Sequence, residues 1–299
     1  MTPGLERRIP TFLKPTDISN ERLAVRFARH PGPYTLSEKS EGDMERIFPG
    51  ITAMPYVHNL PAAEYGESNQ TETYLLYKII TWQRPRTLIE IGTFKGRSTR
   101  IMAEQSPGYA RILTVDLPNE ERRSRMPINT TDTVYLRQGS DESDAVGIKY
   151  RDSSARDKIT QVRIDATSPE FKKTLDDFVE DNGTIDFAYV DPSHDYETTR
   201  DCFLLALEHL SPGGIILADD YNKVSTHVGV TRAYAELADH LPAKEEGLVL
   251  YYFNPKPAFG TDQSGIFFLN VPGAIRDWKV DVPEQDLQKI FDAAGQRWH

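Results

Sequence analysis

Two stretches of this 299-residue chain concentrate groups able to hold a cation and move a proton. Asp191-Pro192-Ser193-His194-Asp195-Tyr196 and Ala218-Asp219-Asp220-Tyr221-Asn222 each follow a short apolar run. If those runs are neighbouring strands, about 4.8 Å apart, Asp191 and the Asp219-Asp220 pair converge on one point. Carboxylates crowded in this way repel one another unless a cation neutralises them. All-oxygen ligation suits Mg²⁺, with Mn²⁺ or Ca²⁺ as alternatives, better than Zn²⁺. Asp191, Asp219 and Asp220 are therefore candidate metal ligands, although spacing alone also suits strand ends and caps. His194 by itself suits a helix start or a surface position better than chemistry, while His209, His227 and His240 have no comparable acid cluster and are assigned no chemistry.

The acids belong to a longer series. Glu90, Asp116, Asp165 and Asp191 each close an apolar run, as the pair Asp219-Asp220 does. Parallel strands would align these tips along one sheet edge, where open α/β folds bind ligands at the point of strand-order reversal. The first tip leads into Glu90-Ile91-Gly92-Thr93-Phe94-Lys95-Gly96-Arg97-Ser98, in which Gly92 permits a sharp turn and Gly96 permits close helix packing. A dinucleotide fingerprint would need glycine where Phe94 stands, and Glu90 would repel a pyrophosphate. A phosphate-binding P-loop would need four residues between the glycines and then Lys, not three and then Arg97. A cationic cofactor without phosphates fits better, and S-adenosylmethionine is one. Glu90 would then face its ammonium end, Asp116 both ribose hydroxyls, and Asp165 the adenine amino group. An alternative register ends the third strand at Asp141, but the gap from Asp141 to Asp191 is about twice what one crossover needs.

The elements that must position these groups follow from the alternation of apolar runs. A helix is predicted over 69–82, then strands at 87–91, 111–116, 159–165, 184–191 and 215–219. Helices are predicted near 96–104, 169–180, 196–210 and 228–241, and a closing hairpin at 248–253 and 265–270. This pattern predicts an α/β fold: a Rossmann-like, doubly wound, mostly parallel seven-stranded sheet with helices on both faces. Residues 1–68, proline-rich and without a period, read as an irregular extension, a candidate lid or the contact of a homo-oligomer; residues 69–299 form the main domain, with an insertion at 117–158.

Composition excludes several classes. Against 45 acidic residues there are 35 basic ones, a net charge of −10 that disfavours nucleic acid as a partner. The single cysteine, Cys202, allows neither an internal disulfide nor a thiolate metal cluster. No apolar stretch is long enough to cross a bilayer, and Met1 to Pro10 lacks the apolar segment of a secretory signal, so a cytoplasmic location is expected.

The motifs Glu90-Ile91-Gly92-Thr93 through Gly96 and Ser98, Asp191 to Tyr196, and Pro212-Gly213-Gly214-Ile215-Ile216 through Asp219-Asp220-Tyr221 resemble class I S-adenosylmethionine-dependent methyltransferases. Within that superfamily they are closest to metal-dependent small-molecule O-methyltransferases of antibiotic and sugar tailoring. The resemblance covers about 70 to 268. It implies cofactor binding by Glu90, Gly92, Thr93, Gly96, Ser98, Asp116 and Asp165, a metal on Asp191, Asp219 and Asp220, and His194 as base toward an acceptor hydroxyl. The chain departs from the pattern at Pro192, where Gly or Ala is usual, and in the length of its insertion. Metal-independent transfer to nitrogen, carbon or a carboxylate, and nicotinamide-dependent oxidoreduction, are the alternatives. Tyr56, Tyr65 and Tyr221 are candidates to line an acceptor pocket, although packing explains them as well.

Overall fold

The computed structural model describes residues 37–39, 45, 48–54, 56, 63, 66–68, 70–118, 120–121, 146–221, 229–230, 233–234, 249–253 and 265–270. In chain order the elements are β1 (Ser37–Lys39), α1 (Gln70–Gln83), β2 (Thr87–Ile91), α2 (Arg97–Gln105), β3 (Arg111–Asp116), β4 (Ile159–Arg163), α3 (Pro169–Asn182), β5 (Ile185–Val190), α4 (Tyr196–Glu208), β6 (Leu210–Tyr221), β7 (Val249–Phe253) and β8 (Gly265–Asn270). They form one eight-stranded sheet in the order β1-β7-β8-β6-β5-β2-β3-β4. Strands β2 to β6 are mutually parallel, and β8 runs antiparallel between β6 and β7.

The chain steps outward from β2 through β3 to β4 and then returns to the other side of β2 with β5. That reversal puts the switch point between β2 and β5, the position at whose carboxyl ends open α/β sheets bind their ligands. The doubly wound sheet of the sequence reading is present, with one strand more than expected. The added strand, β1, comes from the N-terminal extension and pairs in parallel with β7. A three-residue edge strand has no periodicity to betray it, and its sequence, Ser-Glu-Lys, is polar.

Period-two alternation sorts the strand residues onto two cores. Ile89, Ile91, Leu113, Val115, Ala188, Val190, Ile216 and Ala218 pack with Phe171 and Leu175 of α3 and Cys202, Phe203 and Ala206 of α4. Leu88, Ile112, Phe187, Tyr189, Ile215 and Leu217 pack instead with Leu75, Leu76, Ile79 and Ile80 of α1 and Ile101 and Met102 of α2. Glu90, Thr114 and Asp219 fall on this second face by the same alternation. Each helix has a physical start. Ser168 caps α3, accepting from the Phe171 amide, with Pro169 in the first turn. Asp195 caps α4, accepting from the Thr198 amide at 2.7 Å.

Residues 48–54 lie before the predicted boundary at 68 yet pack against α1. Phe48 and Ile51 are buried in the second core. Trp82 Nε1 donates to the Pro49 carbonyl at 2.9 Å. Lys78 Nζ donates to the carbonyls of Ile51 and Met54. The insertion also has structure where it is described: residues 148–150 and 156–158 form short 3-10 turns, and Tyr150 is buried. The alternative third-strand acid, Asp141, and the candidate pocket residue Tyr65 lie outside the described residues.

Candidate active site at the carboxyl ends of the strands

Register explains why the acids gather. Ile91 is level with Val115 and Val190, and Val190 with Ala218. One residue further along, Gly92, Asp116, Asp191 and Asp219 therefore form a row on four adjacent strands. Asp165 does not join it. Strand β4 is level with Asp116 at Arg163, so Asp165 sits two residues past the rim, where its Oδ1 accepts from the amide of Thr167 at 2.8 Å and its hydroxyl at 2.7 Å.

The turn after β2 approaches its neighbour so closely that only glycine fits at its start. Gly92 has φ +100°, and a Cβ there would lie 1.8 Å from the Asp191 carbonyl oxygen. Phe94 also adopts a positive φ, +44°, which costs free energy for a residue with a side chain. Its amide donates to Asp116 Oδ2 at 2.7 Å, and the Leu117 amide donates to Oδ1 at 2.7 Å. The buried Asp116 carboxylate is thus held by two backbone donors. Thr93 and Thr114 share a hydroxyl–hydroxyl bond of 2.6 Å. The insertion brackets the loop: the Gly147 and Lys149 amides donate to the carbonyls of Phe94 and Lys95, each at 2.9 Å. The ring of Tyr150 lies against Gly96. This bracket has no motif in the sequence.

Glu90 is fully buried and ringed by hydroxyls. Oε1 accepts from Ser98 at 2.5 Å; Oε2 accepts from Thr114 at 2.6 Å and from Thr99. Burial raises its carboxyl from the ordinary 4.5 to about 7, against the opposing pull of the three hydroxyls. Thr99 and Thr114 were missed in the sequence, though Thr114 stands out as a polar residue on an otherwise apolar strand. Ser98, expected at the cofactor, points its hydroxyl at Glu90.

At the switch-point side, Asp191, His194 and Asp220 each bring one ligand atom into a set lying within 4.8 Å of one another. His194 Nε2 is 3.0 Å from Asp220 Oδ2. Asp219 is adjacent but differently engaged: its Oδ2 accepts from the Tyr189 hydroxyl at 3.0 Å and its Oδ1 from the Asp220 amide at 2.7 Å. Alternation explains the division. Asp219 shares the face of Tyr189 and Leu217, and Asp220 leaves the strand with φ +61°. Burial, then the nearby Asp219 and Asp220, push the Asp191 carboxyl well above its ordinary range, with His194 opposing. Tyr189 and Tyr234, both fully buried, have their phenols pushed up by burial and then by these same acids. Neither tyrosine was singled out in the sequence.

Residues 89–221 match the family model described as a methyltransferase domain. The matched stretch runs from β2 to the end of β6 and so contains both the glycine turn and the Asp191, His194 and Asp220 set. No curated protein matches the chain. Among solved structures, the O-methyltransferase TomG of tomaymycin synthesis from Streptomyces achromogenes, in complex with S-adenosylmethionine, is 19% identical over 86% of this chain and 100% of its own, with a TM-score of 0.46. The O-methyltransferase from Bacillus cereus, in complex with SAH, is 18% identical over 78% and 92%, with a TM-score of 0.43. Cofactor-bound Rv0187 from MTB is 15% identical over 86% and 99%, with a TM-score of 0.45. At such values the likeness assigns neither acceptor nor metal. Among the described residues, no helix is long and apolar enough to cross a membrane.

Proposed function

We propose that the chain methylates a hydroxyl of a small molecule, such as a phenol, sugar or natural product, with a divalent cation assisting. The observation that carries this reading is the meeting of Asp191, His194 and Asp220 at the rim beside the glycine turn. The donor set fits a divalent cation: burial, and then the crowded carboxylates of Asp219 and Asp220, push Asp191 toward its neutral form, and a bound positive charge would oppose that. Asp191 and Asp220 would hold the ion, with Mg²⁺ as first choice and Mn²⁺ or Ca²⁺ as alternatives, and Asp219 would stand beside them.

The cofactor end fits as well. Gly92 lets the β2 turn pack directly on the Asp191 backbone and so draws the two strand ends together, and the fixed Asp116 carboxylate suits a ribose diol. Glu90 would favour an ammonium group, Thr93, Gly96 and Ser98 would shape that end, and Asp165 would reach the adenine. S-adenosylmethionine supplies an electrophilic methyl carbon, and a divalent cation supplies charge that acidifies an oxygen. His194 would accept the acceptor's proton at Nε2, the atom that now faces Asp220.

The 3.0 Å contact of His194 with Asp220 favours a second reading, in which the carboxylate orients the imidazole directly and no metal is needed. Chelation separates the two. Dialysed protein is incubated with methyl-labelled cofactor and an acceptor panel, with EDTA and with added Mg²⁺. Loss of transfer in EDTA and its return with Mg²⁺ supports the metal reading. Transfer that survives EDTA but falls about 10²-fold or more in His194→Ala supports the dyad. No methylated oxygen product from any acceptor refutes both.

A further inference from the structure

None of the described residues that follow β6 belongs to the Asp191, His194 and Asp220 set, yet Gly229 bears directly on the turn that carries His194. Residues 229–230 and 233–234 are helical. Positions four apart share a helix face, and two such pairs make two different contacts. Val230 and Tyr234 enter the first core, where the Tyr234 ring meets Phe203 of α4 with centroids 5.7 Å apart. Ala233 packs on Tyr196. Gly229 stands one turn before Ala233, over the main chain from His194 to Tyr196. A Cβ at 229 would lie 2.8 Å from the Tyr196 nitrogen and 3.2 Å from both the Asp195 carbonyl carbon and the His194 oxygen.

We infer that Gly229 is a positioning residue for His194: its missing side chain lets the helix after β6 rest on the 194–196 backbone and so holds the imidazole against Asp220. The inference rests on the reading of His194 as the base. The atoms a Cβ would meet belong to the backbone, so no rotamer change relieves the contact, and the turn itself must move by several tenths of an ångström. The contact it supports, 3.0 Å from Nε2 to Asp220 Oδ2, sits inside a hydrogen-bond window only about half an ångström wide. Glu90 and Asp116, on β2 and β3, are not among the atoms that a Cβ at 229 would meet.

The test uses full-length Gly229→Ala, Ala233→Gly and Val230→Ala, with three readouts: kcat, S-adenosylmethionine affinity by calorimetry, and hydrogen exchange of peptides covering 192–200 and 92–105. Gly229→Ala should lower kcat on the order of tenfold, leave cofactor affinity within about twofold and speed exchange in 192–200 alone. Ala233→Gly relaxes the same contact without intruding and should give the same pattern at smaller amplitude. Val230→Ala, which loosens the core side of the helix, should lower stability yet retain kcat. The inference is overturned if Gly229→Ala keeps both kcat and exchange. It is equally overturned if Val230→Ala loses as much kcat at equal loss of stability. Should Gly229→Ala not fold, unchanged kcat and exchange in Ala233→Gly overturn it. If the wild type methylates nothing, the reading of the reaction fails while the exchange readout still decides the inference.

Discussion

Replacing Glu90 with Gln should change how stability depends on pH, with a sign and size set by the structure. The Glu90 carboxyl is raised by burial from 4.5 to about 7. Between those values the native chain keeps a proton that the unfolded chain has lost. Stability must then fall as pH rises, because the native state binds more protons. The contribution is intact below the unfolded value and is lost through the folded one. At about 1.4 kcal/mol per tenfold, this group removes about 2.5 kcal/mol between about pH 5 and about pH 8. Gln has no proton to lose. Its own rearranged bonds to Ser98, Thr99 and Thr114 add an offset, but that offset is independent of pH. Urea unfolding of both proteins across this range should therefore show wild-type stability dropping relative to Glu90→Gln by about 2.5 kcal/mol as pH rises. Parallel profiles would refute the argument from burial. The same carboxyl reports on the proposed ammonium contact: a cation set against it favours the ionised form. Cofactor binding near pH 7 should then release about half a proton from the wild type and none from the variant, measured by calorimetry in buffers of different ionisation enthalpy.

Two further substitutions probe the frame of the site. Asp116→Asn puts amide hydrogens where the carboxylate accepts from Phe94 and Leu117, and it should weaken S-adenosylmethionine binding about tenfold or more in calorimetry; unchanged affinity would remove Asp116 from the cofactor site. Asp195→Ala deletes the cap of α4 and the acceptor of the Ser193 hydroxyl, and should cost about 1 kcal/mol in thermal unfolding. Because that cap ends the turn bearing His194, kcat should fall with it, and a stability loss with full kcat would uncouple the two.

The sheet was readable because burial on both faces leaves near-continuous apolar runs, each ended by a polar residue. That signal located β2 to β8, although β6 begins at Leu210, where the sequence reading ended a helix, rather than at 215. It could not find β1, whose three polar residues are recruited by the edge of β7 rather than by any pattern of their own. The helix after β6 was legible as an element, but its bearing on His194 was not, since nothing in a lone glycine says which backbone it touches. The same holds for the insertion. Its polar composition hides Tyr150, which is buried because a glycine on another element leaves a place for the ring.

The acids were legible as a row and not as individuals, and the reason lies in the geometry of strand ends. As long as a strand continues, alternate residues face opposite sides, so two adjacent aspartates cannot both aim at one centre. Asp219 still obeys the alternation and is drawn to Tyr189 on the α1/α2 face. Asp220 reaches Asp191 and His194 only because its backbone turns left-handed, and the Asp219 carboxylate receives the amide of that turn. Asp219 is thus placed to act on the centre through Asp220 as well as beside it. A substitution there tests two roles at once, whereas Tyr189 and Gly229 support the site without supplying a group to the Asp191, His194 and Asp220 set.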